Sequence, residues 1–282
     1  MVKIRQGMMK DCKDLLEVYM GTRWSEGFTT VEQIKAEHRG VCFKKWGWLV
    51  AEQRGKVVGE ILFRLEKNPI AGRIGIIRSL GVDVRHQKKG YGTKLTRAAE
   101  EVLRGRRVGR IVATTPPEAY NYWMKIDYHK RYWVMRIQNK PSKIPPHGTK
   151  KIITSVVRGA KTLPKTLRFS NFAYPGLLAE IVREIVTIGK PGTIMEYLQD
   201  ETLVGVGAVV LENDRTARFA ADVTKSGEAY SDLVVARTSR AAAKINADSV
   251  YSLVPQDRLP WYMKICNWTT EMDRNFPVTR LA

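Results

Sequence analysis

The sequence LGVDVRHQKKGYGTKLTRAAEE, residues 80–101, joins three patterns. An apolar run over residues 74–84, interrupted by Gly81, predicts a strand that leads into it. Helical spacing follows, in the apolar residues Leu95, Ala98, Ala99, Val102 and Leu103. Gly90 and Gly92 lie between the two patterns, where a backbone without Cβ lets a ligand approach closely. Because the first N–H groups of a helix have no partner within it, we expect a phosphate-binding turn here.

The turn also matches a family pattern. Gln87, Gly90 and Gly92 fill the three defined positions of Gln/Arg-x-x-Gly-x-Gly/Ala, the cofactor loop of the GNAT superfamily of acetyl-CoA-dependent N-acetyltransferases. Residues 80–84 resemble the fourth strand of that family, and the resemblance runs over residues 1–138. It implies acetyl-CoA as the cofactor. The residues implied in binding it are Leu80, Gly81, Val82, Val84, Gln87, Lys88, Lys89, Gly90, Tyr91, Gly92 and Thr93.

The predicted elements of the first half follow the order β-α-α-β-β-β-α-β-α-β, which resembles the order of the GNAT fold. Thr30 is expected to cap the second helix, and Arg54-Gly55 to turn a hairpin. The predicted strands cover residues 2–4, 48–53, 57–65, 74–84, 111–114 and 133–137. Besides the helix that follows Gly92, helices are predicted over residues 11–20, 29–38 and 118–125. The resemblance further implies that the fourth and fifth strands splay apart, with a bulge at Gly81.

The second half of the chain repeats the first. Adding 139 to each number from Val82 onward aligns the halves without a gap, and a shift of 146 places Gly59 on Gly205. We therefore predict an α/β fold (an α+β mixed sheet) with tandem GNAT-like domains. Each has a mostly antiparallel central sheet with splayed fourth and fifth strands, flanked by helices. The predicted domains are 1–138 and 169–282, joined by a basic linker over 139–168 in which residues 152–157 could form an edge strand.

The repeat does not keep the cofactor turn. In this alignment Gln87, Gly90 and Gly92 become Ser226, Ala229 and Ser231, so both glycine positions gain a Cβ. The lysines beside the turn are lost as well. The second domain is therefore a degenerate copy that is not expected to bind the cofactor.

The resemblance implies direct attack of an amine on the acetyl thioester, which needs a base, oxyanion donors and an acid. Backbone N–H groups near residues 80–82 would be the donors. The family acid is a tyrosine in Leu-Tyr-Glu-Lys-Leu-Gly-Phe, and here Trp123 stands at that position of YWMKIDY. Tyr122 is the expected acid, with Tyr120 as an alternative, and aromatic packing would explain both residues equally well.

Two carboxylates are candidates for the base: Glu60 on the third strand and Asp83 on the fourth. Glu60 interrupts the apolar run VVGEILF, so burial could raise its pKa. The competing interpretation is a solvent-facing residue on a half-exposed strand. His86, beside the turn, would contact solvent or phosphate.

Charge is unevenly distributed along the chain. Of the net charge of +20, residues 1–140 carry +15, residues 141–170 carry +7 and residues 171–282 carry −2. Such a field favours anionic partners, and the candidates are acetyl-CoA, nucleic acid, a ribosome surface or an acidic protein. The competing interpretation is that the positive charges only form a solvated surface. Cys12, Cys42 and Cys266 share no metal-type spacing, so we expect no disulfide, no metal and a reducing cytoplasmic location.

Two classes of function fit these patterns. The leading one is an N-acetyltransferase that moves an acetyl group from acetyl-CoA to a primary amine. The alternative is a non-catalytic CoA-responsive or nucleic-acid-binding protein on the same fold, which Trp123 at the acid position favours.

Overall fold

The computed structural model describes residues 2–21, 28–39, 44–68, 72–130, 134–146, 152–156, 176–213, 215–273 and 275–282. The chain divides into two compact units. The first comprises Met1–Arg131 with Pro277–Ala282, and the second comprises Tyr132–Phe276.

The regular elements alternate along both units, with short 3-10 turns between them. In chain order they are β1 (Val2–Gln6), α1 (Cys12–Gly21), α2 (Val31–Arg39), β2 (Trp48–Gln53), β3 (Lys56–Asn68), β4 (Gly72–Val82), α3 (Tyr91–Arg104), β5 (Arg110–Thr115), α4 (Pro117–Lys125), β6 (His129–Lys130), β7 (Val134–Asn139), β8 (Ile153–Val156), α5 (Leu177–Arg183), β9 (Gly192–Gln199), β10 (Thr202–Asn213), β11 (Thr216–Val223), α6 (Ser231–Arg240), β12 (Ser249–Pro255), α7 (Leu259–Ile265), β13 (Thr269–Met272) and β14 (Phe276–Leu281).

The first sheet has the strand order β1-β2-β3-β4-β5-β14-β6. Strands β1 to β4 pair antiparallel, whereas β4 and β5 pair parallel. A parallel pair needs a crossover, which α3 supplies by burying Leu95, Ala99 and Leu103. The predicted mixed sheet flanked by helices is therefore confirmed.

Local sequence signals explain two of the connections. Arg54 and Gly55 both adopt positive φ, 51° and 79°, as the two-residue hairpin between β2 and β3 requires. At the start of α2, the Thr30 hydroxyl accepts from the Gln33 N–H at 3.2 Å, and the Gln33 side chain accepts from the Thr30 N–H at 3.1 Å. This capping box confirms the predicted role of Thr30.

The second sheet repeats the architecture of the first. Its order is β13-β7-β12-β11-β10-β9-β8, with β11 and β12 as the parallel pair. Strand β8 pairs with β9 at one edge, which confirms the edge strand predicted near residue 152. Strand for strand, β8 to β12 therefore occupy the places that β1 to β5 have in the first sheet.

The strands beside the parallel pair come from unexpected parts of the chain. Strand β14, at the C-terminal end of the chain, lies next to β5 in the first sheet, while β7 lies next to β12 in the second. The two units thus divide the chain differently from the predicted boundaries, which assigned residues 134–138 to the first domain and 277–282 to the second. An apolar strand pattern carries no information about which sheet the strand will join, so the sequence could not reveal this.

The repeat is also not gapless. Gly59 pairs with Val82 and Gly205 pairs with Val223, so the ends of β4 and β11 differ by 141. Arg110 and Ser249, which begin β5 and β12, differ by 139. The connection from Val223 to Ser249 is therefore two residues shorter than its counterpart in the first unit. The predicted constant shift of 139 from Val82 onward is wrong before β12.

Candidate active site

The predicted cofactor turn forms a continuous backbone surface at the end of β4. Gly90 adopts φ 78° and immediately precedes α3. The Lys94 N–H donates to the Gly90 carbonyl at 3.0 Å, and the earlier N–H groups of the helix have no intrahelical acceptor. A Cβ at Gly90 would meet nothing within 4 Å, so open space lies above the turn. This geometry fits a phosphate group.

Side chains of the turn fix its own backbone. The Gln87 amide donates to the Val82 carbonyl at 3.0 Å, and the Lys89 ammonium donates to the Arg85 carbonyl at 3.0 Å. Lys88 and Lys94 are exposed on the same turn. The residues predicted to bind the cofactor therefore lie together, from the strand end at Leu80 to Thr93 in the first turn of α3.

Strands β4 and β5 separate beside this turn. Their parallel pairing covers Ile74–Ile77 opposite Arg110–Ala113 and then stops. From Ser79 to Val82, β4 remains paired with β3 but has no strand partner on its β5 side within the described residues. Leu80, Gly81 and Val82 are partly exposed there. The splay that the family resemblance implied is present, and it leaves backbone donors and acceptors available to a ligand.

The bulge in β4 lies at a different residue from the predicted one. Leu62 pairs with Ser79 and Phe63 with Ile77, so Arg78 is the extra residue and Gly81 is in regular register with Glu60. The expectation of a bulge at Gly81 is therefore wrong. The close contact at this point is made by Gly59 of β3, whose backbone approaches the Gly81 carbonyl. A Cβ on Gly59 would lie 2.8 Å from the Gly81 carbonyl, whereas one on Gly81 would make only an ordinary contact.

Glu60 lies at the centre of a buried polar cluster. Its side chain is completely buried and accepts hydrogen bonds from the Tyr19 hydroxyl and, at 3.0 Å, from the Trp48 indole N–H. His38 Nε2 lies 3.2 Å from the same carboxyl oxygen as the indole. These partners come from α1, β2 and α2, so three elements converge on one carboxyl group of β3. The interpretation of Glu60 as a solvent-facing residue does not agree with this burial.

Burial controls the protonation of Glu60. Desolvation raises the pKa of this carboxyl group to about 8, against a smaller lowering by the nearby Arg78 guanidinium and a further raising by Asp11. Burial also lowers the pKa of His38. Arg78 itself is paired with Glu37 of α2. Glu60 is therefore a carboxyl group with a pKa near the working range of a general base.

Asp83 has the opposite environment. It accepts from the Arg85 backbone N–H at 2.9 Å and from the Arg85 guanidinium at 2.6 Å, and so caps the 3-10 turn after β4. The hydrogen bonds from Arg85 lower the pKa of Asp83 to about 2. A carboxylate held in this way is a weak base. His86 lies 3.7 Å from Asp83 and stacks beside Tyr91.

The aromatic residues of α4 divide between the core and the turn. Trp123 is buried and packs against Tyr128, with ring centroids 5.0 Å apart. Tyr122 is half-buried, and its hydroxyl lies 2.8 Å from the Thr96 hydroxyl on α3. Burial raises the pKa of Tyr122 to about 12. The Tyr120 hydroxyl instead accepts from the Lys130 N–H at 3.3 Å. Tyr122 therefore lies against α3.

The corresponding region of the second unit is closed. Helix α6 begins at Ser231 after a 3-10 turn, and its N-cap Tyr230 has φ −113° instead of a left-handed conformation. Residues 219–224 at the end of β11 are all buried, where Leu80 to Val82 of β4 are partly exposed. Tyr262, at the family's acid position in the repeat, is buried in the hydrophobic core, and burial raises its pKa.

Sequence reasoning identified Glu60 but missed its partners. Tyr19, His38 and Trp48 are separated from it by 12 to 41 positions in the chain. One signal was available, because a lone carboxyl group in an apolar strand must find partners when it is buried. Ile34 and His38 are four residues apart and therefore lie on one face of α2. This spacing was the clearest indication in the sequence that His38 would be buried.

Part of the chain resembles known proteins in sequence. Residues 11–139 match the sequence profile of the Acetyltransferase (GNAT) family. A mycothiol acetyltransferase from Amycolatopsis mediterranei is 33% identical over 92 residues, which is 31% of this chain and 30% of that protein. The chain therefore aligns with less than a third of the length of this relative.

Solved structures resemble the whole chain in fold. A GCN5-related N-acetyltransferase from Anabaena variabilis covers all of this chain and 73% of its own, with TM-score 0.64 and 10% identity. A tandem GNAT protein from the clavulanic acid biosynthesis pathway covers all of this chain and 98% of its own, with TM-score 0.55 and 12% identity. A structure described as a putative acetyltransferase from Pyrococcus horikoshii, at TM-score 0.55 and 15% identity, covers 89% of its own chain.

The fold and the matches define the class of protein. Residues 11–139 match the GNAT acetyltransferase family, and the chain as a whole has the fold of tandem GNAT-like domains. The charge pattern also suggested nucleic acid or a ribosome as partner, and the family match does not support either. No helix in the described part of the chain is long and apolar enough to cross a membrane.

Proposed function

We propose that the protein is an N-acetyltransferase that transfers the acetyl group of acetyl-CoA to a primary amine. The observation that carries the proposal is the free edge of β4 from Ser79 to Val82, which leads into the Gly90 turn and the N-terminus of α3. The exposed backbone of an extended strand can hydrogen-bond the amide groups in the arm of acetyl-CoA. The helix N-terminus can bind the pyrophosphate of the same molecule. The family match supports acetyl transfer.

The residues of this chain divide the chemistry between them. Acetyl-CoA, when bound, supplies the acetyl thioester. Glu60, with its pKa raised to about 8, is the proposed base that accepts a proton from the incoming ammonium group. Backbone N–H groups between Leu80 and Val82 are the proposed oxyanion donors. Tyr122, protonated at neutral pH because its pKa is about 12, is the proposed acid. Asp83, whose pKa is lowered, is assigned to capping the turn.

Only the first domain is proposed to bind acetyl-CoA. The turn at Gln87 to Gly92 has the left-handed Gly90, the free first-turn N–H groups and the lysines, whereas α6 begins without a left-handed N-cap. The non-catalytic alternative is less favoured because Glu60 is buried and has a raised pKa, as a candidate base requires. The sequence left open whether Glu60 is buried or faces solvent.

A titration separates these possibilities. Calorimetry with acetyl-CoA should find one site per chain, and Gly90→Glu should abolish it by placing a negative side chain over the turn. Ala229→Glu, in the turn that precedes α6, is the control in the second unit and should leave the site intact. Two equivalent sites would contradict the asymmetric assignment.

Acetylation of an amine library should then release free CoA thiol. Binding without turnover of any amine would support the non-catalytic alternative.

A further inference from the structure

The hydrogen bonds of His38 fix where its ring protons lie. Nδ1 lies 2.7 Å from the Ile34 carbonyl oxygen, which can only accept, so Nδ1 must carry a proton. Nε2 lies 3.2 Å from Glu60 Oε2. One proton must therefore lie in this second contact, either on Glu60 with a neutral His38 or on His38 as an imidazolium facing a carboxylate.

Burial and the other partners favour the neutral pair. His38 and Glu60 are both almost completely inaccessible, and the Trp48 ring packs against His38 with centroids 4.2 Å apart. Moving two separate charges into such a site costs several kcal/mol for each ion. A protonated Oε2 can donate to His38 while it accepts from the Trp48 indole, and Oε1 accepts from the Tyr19 hydroxyl. The contacts of the carboxyl group with Tyr19, His38 and Trp48 are then all satisfied.

We propose that His38 is a positioning residue for Glu60: its Nε2 accepts the proton of a neutral Glu60 carboxyl group and so sets the pH at which Glu60 becomes a base. This proposal rests on the proposed function of Glu60. When the Oε2 proton leaves to solvent, the carboxylate can take one proton from the ammonium group of the acceptor. The products of that step are the neutral carboxyl group and the free amine, so the proton count balances.

The surrounding groups determine the direction of each test. The titratable or charged groups around Glu60 are Asp11 before α1, Cys12 and Tyr19 on α1, Glu37 and His38 on α2, and Arg78 on β4, with the Trp48 indole on β2. Tyr19 and Trp48 donate, so they stabilise the carboxylate. The lone pair of a neutral His38 stabilises only the protonated acid. His38 should therefore act on Glu60 in the opposite sense from the donors Tyr19 and Trp48.

Two variants use this opposition. In the pH profile of kcat/KM with a single amine, His38→Gln should move the midpoint assigned to Glu60 to lower pH, by about one unit or more, because the amide can donate to the carboxylate. Tyr19→Phe removes a donor and should move it to higher pH. A merely structural role for His38 would leave the midpoint unchanged, and shifts of both variants in one direction would overturn the proposal.

A measurement on the unmodified chain needs no turnover. The protein contains four histidines, so selective ¹⁵N labelling gives few signals, and His38→Gln identifies the signals of His38. The expected result at pH 7 is a neutral ring with a protonated Nδ1, whose Nε2 signal changes as Glu60 ionises near pH 8. An imidazolium with two protonated nitrogens at pH 7 would overturn the proposal. If no amine is acetylated, the proposed function fails, while this spectrum still decides the state of the pair.

Discussion

Glu60 illustrates how one polar residue in an apolar strand is stabilised. A buried carboxylate with no partner would be costly, and the chain supplies donors or acceptors from α1, α2 and β2. These contacts do not fully offset the loss of water around the carboxylate. Desolvation therefore raises the pKa of Glu60 to about 8, compared with 4.5 for an ordinary Glu. The folded state therefore binds a proton that the unfolded state releases above pH 4.5.

This difference predicts how stability depends on pH. Because the pKa of Glu60 is raised by folding, its contribution is fully present below about pH 4.5 and is lost as pH rises through about 8. Within that window the free energy of unfolding should fall by up to about 1.4 kcal/mol per pH unit on account of Glu60. Glu60→Gln, which keeps a neutral side chain, should flatten this slope. Urea unfolding at a series of pH values measures it, and an equally steep slope in the variant would count against a raised pKa.

Asp83 should show the reverse dependence. The hydrogen bonds from Arg85 lower its pKa to about 2, so its contribution is present above pH 3.8 and is lost as pH falls through 2. The two carboxyl groups therefore titrate in separate windows. The slope between pH 4.5 and 8 can be assigned to Glu60 without interference from Asp83.

Tyr122 is the second residue whose role can be measured directly. Tyr122→Phe should lower kcat by roughly 10²–10⁴ if the phenol delivers the proton to the departing thiolate, with acetyl-CoA affinity nearly unchanged. The phenol pKa of about 12 makes proton transfer unfavourable unless the hydroxyl is in hydrogen-bond contact with the sulfur. Tyr120→Phe is the matched control, since the hydroxyl of Tyr120 contacts the Lys130 backbone instead. Normal turnover by Tyr122→Phe would assign the proton to solvent or to another residue.

At the scale of elements, the turn between β4 and α3 depends on a conformation that few side chains tolerate. Gly90 has φ 78° and Gly55, in the β2–β3 hairpin, has φ 79°. A Cβ at either position meets nothing within 4 Å, so alanine would suffer only from the backbone conformation. The two glycines are thus matched in strain, and only Gly90 lies in the proposed cofactor turn.

This match gives a controlled experiment. Gly90→Ala and Gly55→Ala should each lower the free energy of unfolding by about 1–2 kcal/mol, the cost of a left-handed conformation for a residue with Cβ. Only Gly90→Ala should weaken acetyl-CoA binding, by about tenfold if the turn relaxes at a cost of about 1.4 kcal/mol. Calorimetry and thermal unfolding on both variants provide the two readings. Equal affinity in both variants would remove the Gly90 turn from the cofactor site.

The elements themselves could be predicted because their signals are local. Residues 48–53 form a strand as predicted from the hairpin signal that follows them, and Thr30 caps its helix by accepting from the Gln33 N–H three residues away. The bulge at Arg78 could not be predicted in this way, because the register of β4 is set by β3 and by the ion pair of Arg78 with Glu37 on α2. The same limit applies to Glu60, whose burial depends on residues from three other elements.

At the scale of the whole molecule, each compact unit is completed by a strand that the sequence repeat would assign elsewhere. The first unit takes β14 from the end of the chain, beside β5. Val278 of this strand is fully buried, and Arg280 donates to the Ile126 carbonyl at 3.1 Å and lies 3.6 Å from Glu100. A strand anchored by both apolar and polar contacts should contribute to the stability of the first unit.

A pair of substitutions at the end of the chain tests this assignment. Val278→Ala should destabilise the first unit by about 2–3 kcal/mol because it removes buried methyl groups. Leu281→Ala, three residues further on and 72% exposed, should change little. Hydrogen exchange on the full chain identifies where stability is lost. Exchange should become faster in β5 and β4 and remain unchanged in β9 to β11, although residues 192–223 lie closer in sequence. Faster exchange confined to the second sheet would instead support the boundary at residue 169, with the last strand belonging to the second domain.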